Sequence, residues 1–175
     1  MTRFGWLMIT YFSVLAIGAS TFHHPVPRLL WNATASTPVG LYAVQPMRVL
    51  HVGDLVAVVP PEPVARFLAD GGYLPPGVPL LKHVAALPGD TVCRTDHLIT
   101  IDGVVIGEAR DRDNRGRGLP VWSGCRVLAD GEIFLMNRHP DSLDGRYFGP
   151  LPAASIIGRA VPLWTSNRPE FSFHP

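Results

Sequence analysis

From Phe4 to Phe22 the chain reads FGWLMITYFSVLAIGASTF, an apolar run without one charged residue. As a helix these residues rise roughly 28 Å, close to the hydrocarbon thickness of a bilayer. The run predicts an N-terminal transmembrane helix, with Trp6 and Tyr11 as interfacial or lipid-facing aromatics. A cleaved signal peptide is the competing expectation, since Gly18-Ala19-Ser20 offers small residues after the apolar core. Beyond it the pattern changes to short apolar segments punctuated by proline and glycine. His24-Pro25-Val26-Pro27 reads as a stiff connector, and residues 28–39, RLLWNATASTPV, as a polar loop between bulky apolar flanks. Strands are predicted at 40–44, 54–59, 79–87, 98–102, 104–107, 132–136 and 155–163. Asp102-Gly103 between two of them is a tight-hairpin dipeptide. Residues 63–70, PVARFLAD, predict the one internal helix, begun by Pro63 and stopped by Gly71. Residues 110–118, RDRDNRGRG, predict an exposed loop. The fold expected is mainly β, a partly closed antiparallel domain of about seven or eight strands behind the membrane helix. Residues 1–24 would be the anchor and 25–175 the domain.

Composition supports this division. Eighteen prolines and seventeen glycines are spread along the chain, which favours short strands and many turns. The net charge of +1 gives no basic stripe for nucleic acid. Arg3 and the amino terminus precede the apolar run, and Arg28 is the first full positive charge after it, with His23 and His24 between. That bias orients the N-terminus to the cytoplasm and the domain to the periplasm. In an oxidising compartment Cys93 and Cys125 would pair and close a loop of about thirty residues. In a reducing one they would be unpaired core residues. Their spacing is unlike a zinc site, and no metal or cofactor is expected.

Of fifteen lysines and arginines, one is a lysine, Lys82. An amine loses its proton when desolvated, whereas a guanidinium does not. Lys82 sits in the apolar stretch 79–87, where burial would lower its pKa and fit it for general-base work. An edge-strand lysine with its head in water is the plainer alternative. Ser36, in Thr34-Ala35-Ser36-Thr37-Pro38-Val39-Gly40, has small neighbours and a turn directly after it, so its hydroxyl is approachable. It needs a base to become a nucleophile. Among seven histidines, His83 should face away from Lys82 on its strand, and His139 lies in a turn. Asp144 and Arg146, two apart on an extended chain, are near enough for an ion pair, which at a surface would contribute little.

Three segments in this order resemble the signal peptidase family of Ser-Lys membrane proteases, and within it the conjugative-transfer, TraF-type branch that matures pilin subunits. They are the serine box Thr34–Tyr42, the lysine box Leu81–Asp90 and the box Ser142-Leu143-Asp144-Gly145-Arg146-Tyr147-Phe148-Gly149-Pro150, with Gly72-Tyr73-Leu74-Pro75 between the first two. The resemblance implies Ser36 as nucleophile, Lys82 as general base, and Thr34 with the Ser36 backbone N–H as oxyanion donors. It implies Ser142 and Asp144 as residues that orient or screen the amine, the aspartate singled out in the transfer branch, and Arg146 as the partner of Asp144. Relatives outside the branch carry methionine at Thr37 and serine at Gly145. The first departure implies an altered substrate cleft, and the second implies no hydroxyl role at 145. The implied fold is a membrane-associated, mainly antiparallel β-domain.

Three functions are therefore in view. The first is a membrane-bound endopeptidase cleaving exported precursors, signal peptides or a pilin subunit, behind the inner membrane. The second is a self-cleaving Ser-Lys repressor, for whose DNA-binding domain the apolar N-terminus leaves no room. The third is a non-catalytic envelope or secretion-channel assembly protein that keeps the fold, for which a broken dyad would be the mark.

Overall fold

The computed structural model describes residues 2–21 and 27–166. The connector at 24–26, the histidines at 23 and 24 and the anchor–domain boundary lie outside the described residues.

The apolar run forms helix α1 (Arg3–Thr21). Phe4, Trp6, Leu7, Phe12 and Ile17 on it are all exposed. Among the described residues no helix is both long and apolar enough to cross a membrane.

The domain contains β1 (Leu29–Asn32), β2 (Gly40–Gln45), β3 (Leu55–Val58), α2 (Glu62–Asp70), β4 (Leu80–Ala86), β5 (Thr91–Thr95), β6 (Leu98–Ile101), β7 (Val104–Glu108), β8 (Gly124–Val127), β9 (Glu132–Met136), the single turn α3 (Gly145–Phe148), β10 (Leu151–Pro152) and β11 (Ile156–Thr165). Every strand pairing is antiparallel. Seven strands form one sheet in the order β1-β2-β11-β3-β4-β9-β10, and four form a second in the order β7-β6-β5-β8. The mainly β expectation stands, but the described residues hold eleven strands rather than seven or eight.

Local chemistry explains most of the elements. In β2, Gly40, Tyr42 and Val44 are buried in strict alternation, the mark of a strand with one face on the core. In α2, Pro63 opens the helix, and the Gly71 N–H closes it on Phe67 O. At the β6–β7 turn Asp102 and Gly103 both take positive φ, 49° and 81°, as a type I′ hairpin requires.

The central strands carry the core. Val56 and Val58 of β3, Val84 of β4 and Ile133 and Leu135 of β9 pack together under Leu151. A second cluster, with Ala86, Val92, Ile99 and Phe134, lies where the two sheets meet. The loop at 110–118 is mostly exposed, as the charge pattern predicts, yet it is anchored. The Tyr73 hydroxyl donates to Asp113 at 2.6 Å, and the Arg117 guanidinium lies over the Tyr73 ring, 4.1 Å from its centroid.

Cys93 and Cys125 occupy directly opposed positions on β5 and β8 and are joined by a disulfide. The link closes the long excursion through β6, β7 and the 110–118 loop. Its removal by Cys93→Ser with Cys125→Ser should lower the unfolding free energy by about 2–4 kcal/mol. Denaturant melts of wild type with and without reductant measure this, and coincident curves would show that the link contributes nothing.

Candidate functional site

The loop between β1 and β2 is organised by Asn32. Its Nδ2 donates to the carbonyls of Thr34 (3.0 Å), Thr37 (2.9 Å) and Pro38 (3.1 Å). Carbonyls only accept, so the amide orientation is fixed, and Oδ1 is free to take the Thr34 N–H (3.1 Å) and hydroxyl (2.9 Å). Tyr42 holds the same loop by donating to Pro38 O at 2.6 Å. Ser36 Oγ lies 3.3 Å from Thr34 Oγ1. The one hydroxyl proton of Thr34 goes to Asn32, so Ser36 is the donor in that bond.

Lys82 lies on β4, opposite Val56 of β3, and is only 3% exposed. Its Nζ donates to Ser142 Oγ at 2.6 Å. Burial pushes its pKa down to about 8; the Asp144 charge opposes the shift and the Arg146 charge adds to it. An amine so placed is partly neutral near pH 8 and can accept a proton there.

The segment after β9 delivers Ser142. Asp144 and Arg146 are each 2% exposed, so the pair is a buried one and not the surface turn that the spacing alone suggests. Nor is the chain extended between them. Asp144 caps α3, Oδ1 accepting the Arg146 N–H (3.2 Å) and Nε–H (2.9 Å), while Oδ2 accepts from Nη2 at 2.8 Å. Burial works against the Arg146 guanidinium, but the hydrogen bond and charge of Asp144 leave its pKa raised. Arg146 Nη2 also donates to the carbonyls of Asn137 (3.0 Å), His139 (2.8 Å) and Ser142 (3.3 Å), which sets the turn that presents Ser142 to Lys82. Beneath it, fully buried Arg94 of β5 donates to Arg146 O at 2.7 Å, and Trp122 Nε1 donates to Gly145 O at 2.9 Å.

Thus Lys82, Ser142, Asp144 and Arg146 meet at one place, while Ser36 and Thr34 sit on the β1–β2 loop. Ser36 and Lys82 share no direct hydrogen bond. The two groups are joined through Asn137, 1% exposed, whose Nδ2 donates to Thr37 Oγ1 (3.1 Å) and Leu81 O (3.0 Å). Thr37 is therefore turned into the domain, 4% exposed. His83 also contacts Asn137, its Nδ1 lying 3.0 Å from Oδ1. His139 Nδ1 accepts the Asp141 N–H at 3.2 Å. Cys93 and Cys125 lie on the other sheet. Among the described residues no group of three or more His, Cys, Asp or Glu is placed to hold a metal ion.

Sequence reasoning missed Asn32, Asn137 and Arg94. Each looks like an ordinary loop or strand polar residue until its partners, distant in the chain, are known. The glycine at 145 has a steric reason. A Cβ there would lie 2.7 Å from Phe134 Cε2 and 2.8 Å from Leu135 O. Gly145→Ala should therefore destabilise the domain by about 1–3 kcal/mol. Urea titration checks this, and an unshifted midpoint would mean that the backbone has room to give.

Comparison with known proteins bears on what this arrangement belongs to. Conjugal transfer protein TraF of Agrobacterium fabrum (strain C58) is 37% identical over 146 residues, covering 77% of this chain and 81% of that protein. Its counterpart in Agrobacterium tumefaciens (strain 15955) is 38% identical over 154 residues, 82% of each. Plasmid transfer protein TraF of Escherichia coli is 34% identical over 145 residues, 77% of this chain and 81% of that protein. The family profile described as "Signal peptidase, peptidase S26" matches residues 1–164, nearly the whole length of the chain. The chain belongs to the signal peptidase family, peptidase S26, in its TraF-type branch.

Proposed function

We propose that this protein is a membrane-bound serine endopeptidase that cleaves exported precursors, a conjugative pilin subunit in particular. Ser36 is its nucleophile and Lys82 its general base. The observation that carries the reading is the burial of the chain's one lysine against Ser142, with a pKa of about 8. A buried ammonium with a single hydroxyl partner is poorly satisfied, whereas a neutral amine is not.

In the reaction, neutral Lys82 takes the Ser36 proton as Oγ attacks the peptide carbonyl. The ammonium so formed is stabilised by the nearby Asp144 charge, and Ser142 holds it in place. It then protonates the leaving amine, and an acyl-enzyme remains on Ser36. Water activated by the same amine hydrolyses that ester and regenerates the hydroxyl. The Ser36 backbone N–H has no acceptor among the described residues, which leaves it for the oxyanion. Thr34 adds its hydroxyl once that proton turns from Asn32. Each such donor is typically worth roughly 3–4 kcal/mol in the transition state. Catalytic hydrogen bonds often tighten only when substrate binds, and the Ser36–Lys82 bond is expected to close in that step.

We further propose that the apolar run from Phe4 to Phe22 anchors the protein at the inner membrane, with the N-terminus cytoplasmic and the domain on the periplasmic face. The exposed apolar side chains of the helix and the charge-free run from Phe4 to Phe22 support this.

Ser36→Ala and Lys82→Arg should each abolish cleavage of a co-expressed prepilin in membranes. Ser36→Ala should leave the melting temperature near that of wild type, whereas the larger, permanently charged guanidinium of Lys82→Arg should lower it at this buried position. Full activity in Lys82→Arg would sink the base assignment. The kcat/KM of wild type should rise with pH and level off above about 8, since only deprotonated Lys82 accepts the proton. A flat profile between pH 6 and 9 would contradict a titrating base.

A further inference from the structure

The nucleophile and the base of the proposed reaction come from different parts of the sheet, and something must hold them in register. Ser36 is on a loop between the edge strand β1 and its neighbour β2; Lys82 is on β4, in the interior of the sheet. Asn32 fixes the loop that carries Ser36, through Thr34, Thr37 and Pro38, but nothing in that arrangement refers to Lys82. Asn137 carries hydrogen bonds that cross from the serine loop to the lysine strand.

Asn137 is the residue directly after β9. Its Nδ2 spans Thr37 Oγ1, next to Ser36, and Leu81 O, next to Lys82. Its Oδ1 accepts the backbone N–H of His83, on the other side of Lys82, at 3.1 Å. The Leu81 carbonyl and the His83 N–H together fix which amide atom is nitrogen. Oδ1 is then an acceptor, and His83 Nδ1 carries the proton it donates there. The backbone is used as fully: the Asn137 N–H donates to Asp144 Oδ2 at 3.0 Å, and its carbonyl accepts from Arg146. One buried side chain thus straddles Lys82 on β4, reaches a residue one hundred positions upstream beside Ser36, and is itself seated on the Asp144–Arg146 pair.

We propose that Asn137 is a positioning residue, which through Thr37 sets the approach of the Ser36 hydroxyl to Lys82. The inference rests on the Ser36–Lys82 reading of the site. It also gives threonine at position 37 a purpose: its hydroxyl accepts the amide proton, which an apolar side chain of the same size does not.

The test is Thr37→Val, which keeps shape and removes the acceptor, with Thr37→Ser as the conservative rescue, Asn137→Ala, and the Thr37→Val/Asn137→Ala double variant. All are made in the full chain and assayed in detergent on a synthetic precursor with Ala-Xaa-Ala before the cleaved bond. Thr37→Val should lower kcat about tenfold or more per folded molecule, with KM within about twofold and the pH inflection unmoved, because orientation and not affinity or basicity is lost. Thr37→Ser should recover most of the rate. The double variant should be no slower than Asn137→Ala alone, since both remove one contact. A merely structural contact would lower the melting temperature while leaving kcat per folded molecule unchanged. That result, or additive losses in the double variant, overturns the proposal. Wild type and Ser36→Ala run beside them test the peptidase reading separately. If wild type cleaves nothing, that reading fails, and amide exchange of residues 33–39 still decides the contact. Faster exchange in Thr37→Val, reversed in Thr37→Ser, supports the tether, and unchanged exchange refutes it.

Discussion

A carboxylate and a guanidinium out of water impose the main constraint on this domain. Burying such a pair costs several kcal/mol per ion unless the remaining donors and acceptors are met. Asp144 and Arg146 meet it through one another, two backbone N–H groups and three carbonyls, all drawn from residues 137–146. The turn therefore has little freedom. The conformation that satisfies the pair is also the one that carries Ser142 to Lys82 and lays the Asn137 amide across β4. The same charges act on the amine: Asp144 limits how far burial lowers its pKa, and Arg146 pushes the other way.

The support for this turn comes from both sheets. Arg94 reaches from the four-stranded sheet to the carbonyl of Arg146, and Trp122 to that of Gly145. The 110–118 loop approaches from the outer side. Arg110 and Asn114 both bond Asp141, immediately before Ser142. At its other end the loop is seated on Tyr73, whose ring stacks on Phe67 of α2. A charged, glycine-bearing segment that reads as solvent-exposed filler thus braces the turn holding Ser142. The second sheet, with its disulfide, acts as a buttress for the turn that follows β9.

The sequence is legible where periodicity or backbone geometry is strong. β2, β4, β9, the Asp102-Gly103 hairpin and α2 fall close to their expected places because alternation, a positive-φ pair or a proline start marks them. β1 reads as loop in the sequence, since its inward positions are Leu30 and the polar Asn32 while apolar Leu29 and Trp31 are exposed, so no apolar alternation marks it. β5 is hidden in the sequence because one of its inward positions is Arg94, a charged residue that breaks the alternation. α3 is one turn held by the Asp144 cap and has no helical pattern to find. The chemistry divides in the same way. The isolation of Lys82 among arginines and the boxes around Ser36 and Asp144 are visible as residue types at fixed spacing. Asn32 and Asn137 are not, because an asparagine acquires its role only from partners brought in by folding.

The lone lysine has a practical consequence. Besides its amino terminus this polypeptide carries one primary amine, and the fold keeps that amine almost wholly out of solvent. Amine-directed cross-linkers have no internal amine to reach on its surface. An adduct on Lys82 records an excursion in which the packing over β4 has opened, so amine-directed labelling becomes a single-site gauge of breathing at the heart of the domain.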